Sequence, residues 1–323
     1  MGYVPPYTIS EKAVSLVAEI AAALERYRIV MEGADGVRLR KINHVRTIRG
    51  TTAIEGNTLT EEQVTAVLEG RHVVAPRREI DEIKGAHVAY SLLGEINPLR
   101  REDILKVHAS MMGGLVEGAG SLRNKGVGVV DGKGNVLHMA PPASRVPELL
   151  GNLLEWASTV AVHPLVMSCV FHYEFEFIHP FLDGNGRMGR FLQTALLGRW
   201  NELFFAAPIE NSVFNNQAEY YRAIESSTAK ADSGPFIDFM LERILETIKE
   251  KGVPINVPIN VPINEVVLDL VLKNPGINRV RMAELLSVDV KTIARSLKVL
   301  SGKVEHRGSK KTGGYYAVEE ARA

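Results

Sequence analysis

HPFLDGNGRMGR, residues 179–190, packs one histidine, one aspartate, one asparagine, three glycines and two arginines into twelve positions. The run before it, Pro164–Ile178 (PLVMSCVFHYEFEFI), is strongly apolar and long enough for a helix buried on most sides. Pro180 helps stop that helix, because proline lacks the N–H that a helix interior needs. DGNG then turns the chain, and helix is expected again from Arg187 onward, through Phe191–Trp200. Gly184, Asn185 and Gly186 therefore stand at a helix N-terminus, where main-chain N–H groups and the helix dipole favour an anion. Glycine suits the place, since a side chain would hold a phosphate off the backbone.

The segment is not GxxxxGK[ST], nor does it follow a strand as a dinucleotide fingerprint does. Asp183 beside an anion nest would repel a phosphate. A Mg²⁺ ion between the carboxylate and phosphate oxygens removes the conflict. Arg187 and Arg190, three residues apart, share one side of the following helix and suit two further phosphate groups. His179, four residues before Asp183, is placed to act as general base toward an incoming hydroxyl. Singly, these residues read as a helix cap and a glycine turn. In conjunction they imply a nucleotidyl or phosphoryl transfer site.

Around this loop the chain reads as mainly helical. Helices are expected after Ser10, over Leu39–Ile54, from Thr60 to Leu68, and around 79–93, 101–112, 146–160, 216–229 and 235–250. Ala13, Val14, Leu16, Val17, Ile20, Ala21 and Leu24 give the first of these an apolar face. Thr60 and Gln63 form a capping box. His172 and Glu176, one turn apart, read as a helix-face pair or internal hydrogen bond, because no third metal ligand stands at usable spacing. The exception to helix is 126–142, GVGVVDGKGNVLHMAPP, a β-hairpin turning at DGKGN. Its unpaired edge suits either an extended peptide added as a strand or a structural loop.

Val253–Asn264 is VPIN three times over, an extended semi-rigid spacer and the clearest boundary in the chain. Beyond it come helices at Glu265–Lys273, Arg279–Leu286 and Asp289–Leu300, then a hairpin over Lys303–Val318, the layout of a winged helix-turn-helix. The expected organisation is N-terminal helices (1–75), a catalytic core (76–250), the linker (251–264) and the winged helix (265–323). Between Arg279 and Lys311 nine Lys or Arg face three acids, a local charge of +6. Lys291, Thr292, Arg295 and Lys298 on the third helix can meet DNA, or the domain can dock on protein.

Composition excludes little. The 38 basic and 38 acidic residues cancel, so net charge points to no polyanionic partner. The single cysteine, Cys169, rules out an internal disulfide framework and reads as a small buried hydrophobe. No apolar run approaches the ~18 residues of a membrane span, and MGYVPPY lacks signal-peptide features and a myristoylation pattern, so a cytoplasmic location is expected.

His179–Arg190 resembles, at every fixed position, the HxFx[DE]GNGRxxR signature of Fic-domain proteins, and the surrounding helices and preceding hairpin are similar to that family over roughly 40–250. The resemblance implies a mainly α fold: a Fic-type helical core with a β-hairpin flap and a C-terminal winged helix. It implies transfer of AMP from ATP to a Tyr, Thr or Ser hydroxyl of a target protein, the chain itself included, with release of pyrophosphate. His179 would deprotonate the hydroxyl, and Asp183 would hold Mg²⁺ on the α- and β-phosphates. Gly184, Asn185 and Gly186 would form the anion hole, with Arg187 on the β-phosphate and Arg190 on the γ-phosphate. Phe181 would pack the loop onto the core, Tyr221 would contact the adenine, and the hairpin would pin the target segment. Gly186 speaks against the reversed ATP mode of kinase-like relatives, while phosphocholine transfer stays open.

TTAIEGN, 51–57, similarly fits the family's inhibitory [ST]xxxE[GN] helix at Thr51, Glu55 and Gly56. Alone, Glu55 reads as a solvated acid at a helix end. In the resemblance it pairs bidentately with Arg190 and takes that arginine from the γ-phosphate. Two alternatives follow: a de-AMPylase in which Glu55 positions a water, and a DNA-binding regulator whose core senses nucleotide. The oligomeric state, a homodimer among the options, is not set by the sequence.

Overall fold

The computed structural model describes residues 3–33, 36–130, 136–249, 262–286, 288–309 and 313–318. Long-range contacts divide the chain into two compact units, Met1–Arg28 with Asn43–Val257, and Ile29–Ile42 with Pro258–Ala323. The DGKGN turn and most of the VPIN repeat lie outside the described residues.

Two long helices open the chain, α1 (Glu11–Glu32) and α2 (Gly36–Ala53). On α1 the buried line is Ala13, Leu16, Ile20, Leu24, Tyr27 and Met31, at the three-to-four-residue spacing of one helix face. Val14 and Ala21 lie about a quarter-turn off that line and are exposed, which corrects the broader apolar face expected of them. α3 (Glu61–Leu68) starts at the expected capping box, with Thr60 Oγ1 accepting from Gln63 N and Gln63 Oε1 from Thr60 N. α4 (Arg77–Ser91) and α5 (Arg101–Met112) pack on each other. The hairpin follows as β1 (Gly128–Val130) and β2 (Val136–Met139), antiparallel with Gly128 opposite Met139 and an irregularity after Val129.

The core of this unit is built on α6 (Val146–Thr159), α7 (Pro164–Ile178) and α8 (Asn185–Trp200). Phe171 and Phe175 of α7 and Phe191 of α8 are fully buried, so the loop between α7 and α8 is anchored at both ends in packed aromatic surface. Cys169 is buried among them, its thiol pushed up to about 12 by burial, with Gln193 Nε2 3.4 Å from its sulfur. α9 (Ile209–Asn215), not foreseen from the sequence, is a short helix set off by Pro208. α10 (Gln217–Lys230) and α11 (Gly234–Lys249) close the unit.

The second unit holds α12 (Ile263–Lys273), α13 (Arg279–Leu285), α14 (Val290–Val299), β3 (Val304–Arg307) and β4 (Gly314–Ala317). Its core comprises Val267, Val271, Met282, Ile293, Leu297 and Val304, with Ala317 on β4. β3 pairs with β4 in antiparallel register, Val304 opposite Ala317, and Ile277 bridges Tyr315. α12 begins inside the last VPIN repeat, two residues earlier than expected, because Pro262 can precede the first turn without costing a helix bond. Lys41 and Arg40, in the first turns of α2, make ion pairs to Glu265 (2.6 Å) and Asp269 (2.9 Å) of α12 within this unit.

Ala231, which ends α10, is left-handed at φ 48° without being glycine. Ala231→Gly is expected to raise the unfolding free energy by about 0.5–1 kcal/mol, since relief of that strain exceeds the added freedom of the unfolded chain. The urea midpoint measures it.

Candidate active site

The α7–α8 loop is braced from within. His179 ends α7 in a left-handed conformation, φ 50° and ψ 63°, and Gly184 makes a second left-handed turn at φ 82° just before α8. Between them the Asn185 side chain laces the loop shut, accepting from Phe181 N (2.8 Å) and donating to Phe181 O (2.9 Å). Asn185 thus faces the anion site with its main chain only. Phe181 is fully buried and stacks on His108 of α5, ring centres 3.7 Å apart and planes 4° from parallel.

His108 had no signal in the sequence beyond being a lone histidine on an amphipathic helix. Gly120 N donates to its Nδ1 (2.8 Å), so the ring proton is on Nε2, which donates to the Asp183 carbonyl (3.0 Å). Burial pushes its pKa down, consistent with a neutral ring. Asp183 is held by its main chain, and its carboxylate is 42 % exposed. Oδ1 accepts from Gly184 N (2.6 Å) and lies 3.5 Å from Arg187 Nη2. Oδ2 is 3.9 Å from Arg78 of α4.

Among the described residues no three His, Cys, Asp or Glu cluster as a metal cage. One accessible hard carboxylate beside an anion cradle is the donor set that suits Mg²⁺ arriving with phosphate oxygens as its other ligands. Arg187 is buried, and its Nε has no hydrogen-bond partner among the described residues. Such a buried donor is costly unless a ligand accepts from it.

Arg190, 3 % exposed, is held instead by the end of α2. Its Nε donates to Thr51 Oγ1 (3.2 Å), and its Nη2 to Thr51 O (3.0 Å) and Glu55 Oε1 (2.6 Å). The pairing with Glu55 therefore runs through one guanidinium nitrogen, not two as expected, because Thr51 occupies Nε. Burial raises the Glu55 carboxyl, but Arg190 and then Arg187 outweigh it and hold the group below the usual carboxylate range. A Cβ on Gly186 would lie 2.5 Å from Glu55 Oε1, so the carboxylate rests directly over the glycine of the cradle.

Gly56 follows at φ 94°, and the turn is capped by Gln217 Nε2 on Ile54 O (2.7 Å). Tyr221, half-buried, lies against the same carbonyl, its hydroxyl 3.4 Å away. Gly50 sets how close α2 comes: a Cβ there would lie 2.6 Å from the backbone of Glu210 and Asn211.

His179 Nδ1 is 3.3 Å from the Glu176 carbonyl and 3.9 Å from Glu176 Oε2. The His172–Glu176 pair is 3.9 Å apart. His172 bonds Gln193 (2.6 Å) and lies 3.2 Å from the Tyr220 hydroxyl, so this corner is internal packing. His179, Asp183, Gly184–Gly186, Arg187, Arg190, Thr51, Glu55 and Tyr221 all belong to the first unit. Lys291, Thr292, Arg295 and Lys298 belong to the second, Thr292 half-buried and the other three exposed along α14.

A helical core that gathers a histidine, an aspartate and two arginines on one loop and the first turns of α8 is an arrangement suited to a phosphate-bearing ligand. Comparison with known proteins gives the family. Residues 98–197 match the Fic/DOC family. A crystal structure of a Fic family protein from Desulfovibrio desulfuricans G20 is 36% identical, covers 98% of this chain and 99% of its own, and superposes with a TM-score of 0.75. The chain belongs to the Fic family. Protein adenylyltransferase fic-1 of Caenorhabditis briggsae is 32% identical over 203 residues, which cover 59% of this chain and 38% of that protein. The chain thus spans under two-fifths of that relative's length. The fic-1 structure from C. elegans, 24% identical with a TM-score of 0.58, shares the fold over 72% of this chain and 69% of its own.

Burial lifts the Glu176 carboxyl to about 8, against the opposing pull of Arg190. A folded-state pKa above the unfolded one makes the native state lose stability as pH rises from about 4.5 to about 8. Glu176→Gln is therefore expected to flatten this loss, so that its melting temperature relative to wild type climbs between pH 5 and pH 8. Parallel curves would contradict the raised pKa.

Proposed function

We propose that this chain is a protein AMP-transferase held in check by its own α2 end. The observation that carries the reading is the phosphate cradle itself: Arg187 offers a buried, unbonded Nε, and the neighbouring arginine is occupied by Glu55 over Gly186. ATP suits that cradle, its phosphates meeting the α8 N-terminus, Arg187 and Arg190. Mg²⁺ on Asp183 neutralises phosphate charge when bound.

With Nδ1 against the Glu176 carbonyl, Nε2 is the His179 nitrogen suited to the base role. The acceptor hydroxyl attacks the α-phosphorus as His179 takes its proton. The new O–P bond forms, the bond to the oxygen bridging to the β-phosphate breaks, and pyrophosphate departs along the arginines. The acceptor is a Tyr, Thr or Ser hydroxyl of a protein, presented along the β1–β2 edge by strand addition.

The restraint is modest in energy. With 30 % of the Glu55 side chain accessible, its charged hydrogen bond is worth about 1.5–3 kcal/mol rather than the larger figure of a fully buried pair. That is enough to keep Arg190 from the γ-phosphate most of the time. Glu55→Gly is therefore expected to raise self-labelling from α-labelled ATP by roughly tenfold or more. Adding His179→Ala should remove the label while ATP still binds. Equal labelling of Glu55→Gly and wild type would end the restraint reading. Release of AMP from a modified target by wild type alone would instead assign Glu55 to AMP removal.

A second reading concerns α14. Lys291, Arg295 and Lys298 form an exposed basic line at helical spacing on a unit with winged-helix layout, and DNA phosphates suit it. The full-length chain is expected to retard duplex DNA in a gel, with Arg295→Ala/Lys298→Ala weakening binding and its salt dependence. Unchanged retardation would remove the assignment.

A further inference from the structure

Arg123 lies outside the motif, takes no part in the steps above, and is 3 % exposed. Among the described residues its guanidinium donates four hydrogen bonds, all to main-chain carbonyls. Nε reaches His179 O (2.6 Å), Nη2 reaches Ile178 O (3.3 Å) and Pro141 O (2.6 Å), and Nη1 reaches Lys125 O (2.9 Å). Its own N–H donates to Pro180 O (2.9 Å).

These acceptors belong to two different parts of the machinery. Ile178, His179 and Pro180 carry the left-handed turn that presents the imidazole. Lys125 and Pro141 are the two roots of the hairpin, just outside β1 and β2, where Ala140 N also closes onto Val127 O (3.2 Å). Burying a cation among carbonyl dipoles is expensive unless its fixed fork is required, and packing alone would be served by an apolar residue. The planar guanidinium is rigid, so the carbonyls it holds keep fixed places relative to one another.

We propose that Arg123 is a positioning residue that ties the hairpin to the general base. It holds the His179 main chain in its strained turn, and it transmits the seating of an acceptor strand at β1–β2 to the imidazole. The inference rests on the transfer reading above for its kinetic consequence, though not for the mechanical link.

The test uses the full-length Glu55→Gly protein with Arg123→Lys or Arg123→Met added. Lysine keeps the charge, but one nitrogen cannot span both hairpin roots and the His179 carbonyl. The saturating rate of self-labelling from α-labelled ATP is expected to fall about tenfold in Arg123→Lys and about a hundredfold in Arg123→Met, at half-saturating ATP within about twofold of the parent. An undiminished rate in Arg123→Lys overturns the proposal. So does a half-saturating ATP concentration that rises in step with the lost rate, as a collapsed loop would give. If Arg123→Met fails to fold, Arg123→Lys decides alone.

Hydrogen exchange reads the link without turnover. The hairpin stretches 125–130 and 136–141 and the segment 178–186 are expected to exchange faster in Arg123→Lys, and acceleration on only the hairpin side or only the 178–186 side refutes the tie. If the Glu55→Gly parent transfers no AMP, the transfer reading fails while exchange still judges Arg123.

Discussion

One buried guanidinium has to be paired. Arg190 is enclosed on α8, where a cation must be paired, and the end of α2 pairs it through Thr51 and Glu55. On the proposed reading a nucleotide's terminal phosphate competes for the same donors. The surrounding fold holds the observed pairing in place. α7 and α8 bury their aromatic faces to fix the loop, Asn185 laces it, and Gly186 leaves room for the Glu55 carboxylate. On the proposed reading both partners are anions aimed at one donor set, so occupancy by one would exclude the other.

The loop is rigid on both flanks for separate reasons. His108 grips the Asp183 carbonyl and stacks on Phe181, while Arg123 grips the carbonyls of Ile178 and His179. The carboxylate and the imidazole are thus set by their main chains, which leaves the Asp183 side chain accessible. On the proposed reading this is the preorganisation a transfer site requires.

Much of this was legible in the sequence where the chemistry is contiguous. His179 to Arg190 is one stretch, and the Thr60–Gln63 box is local, so each could be read from neighbours alone. The supports were not legible because their partners are distant: Arg123 acts on a carbonyl 56 residues on, and His108 on one 75 residues on. An arginine between Leu122 and Asn124, or a histidine on an amphipathic helix, carries no local mark of such duty. The geometry of the Glu55 contact was also beyond reach, since a motif names the partners but not how Thr51 divides the arginine's donors. α9 escaped because seven residues after a proline give too short a period to recognise.

Gly50 gives the proposed restraint a direction. With no side chain there, α2 lies at backbone distance from α9, and every other residue would add volume on the same side. Changes at Thr51 or Glu55 likewise remove contacts to Arg190. On the proposed reading, substitution in this segment loosens the seat of Arg190 far more readily than it tightens it.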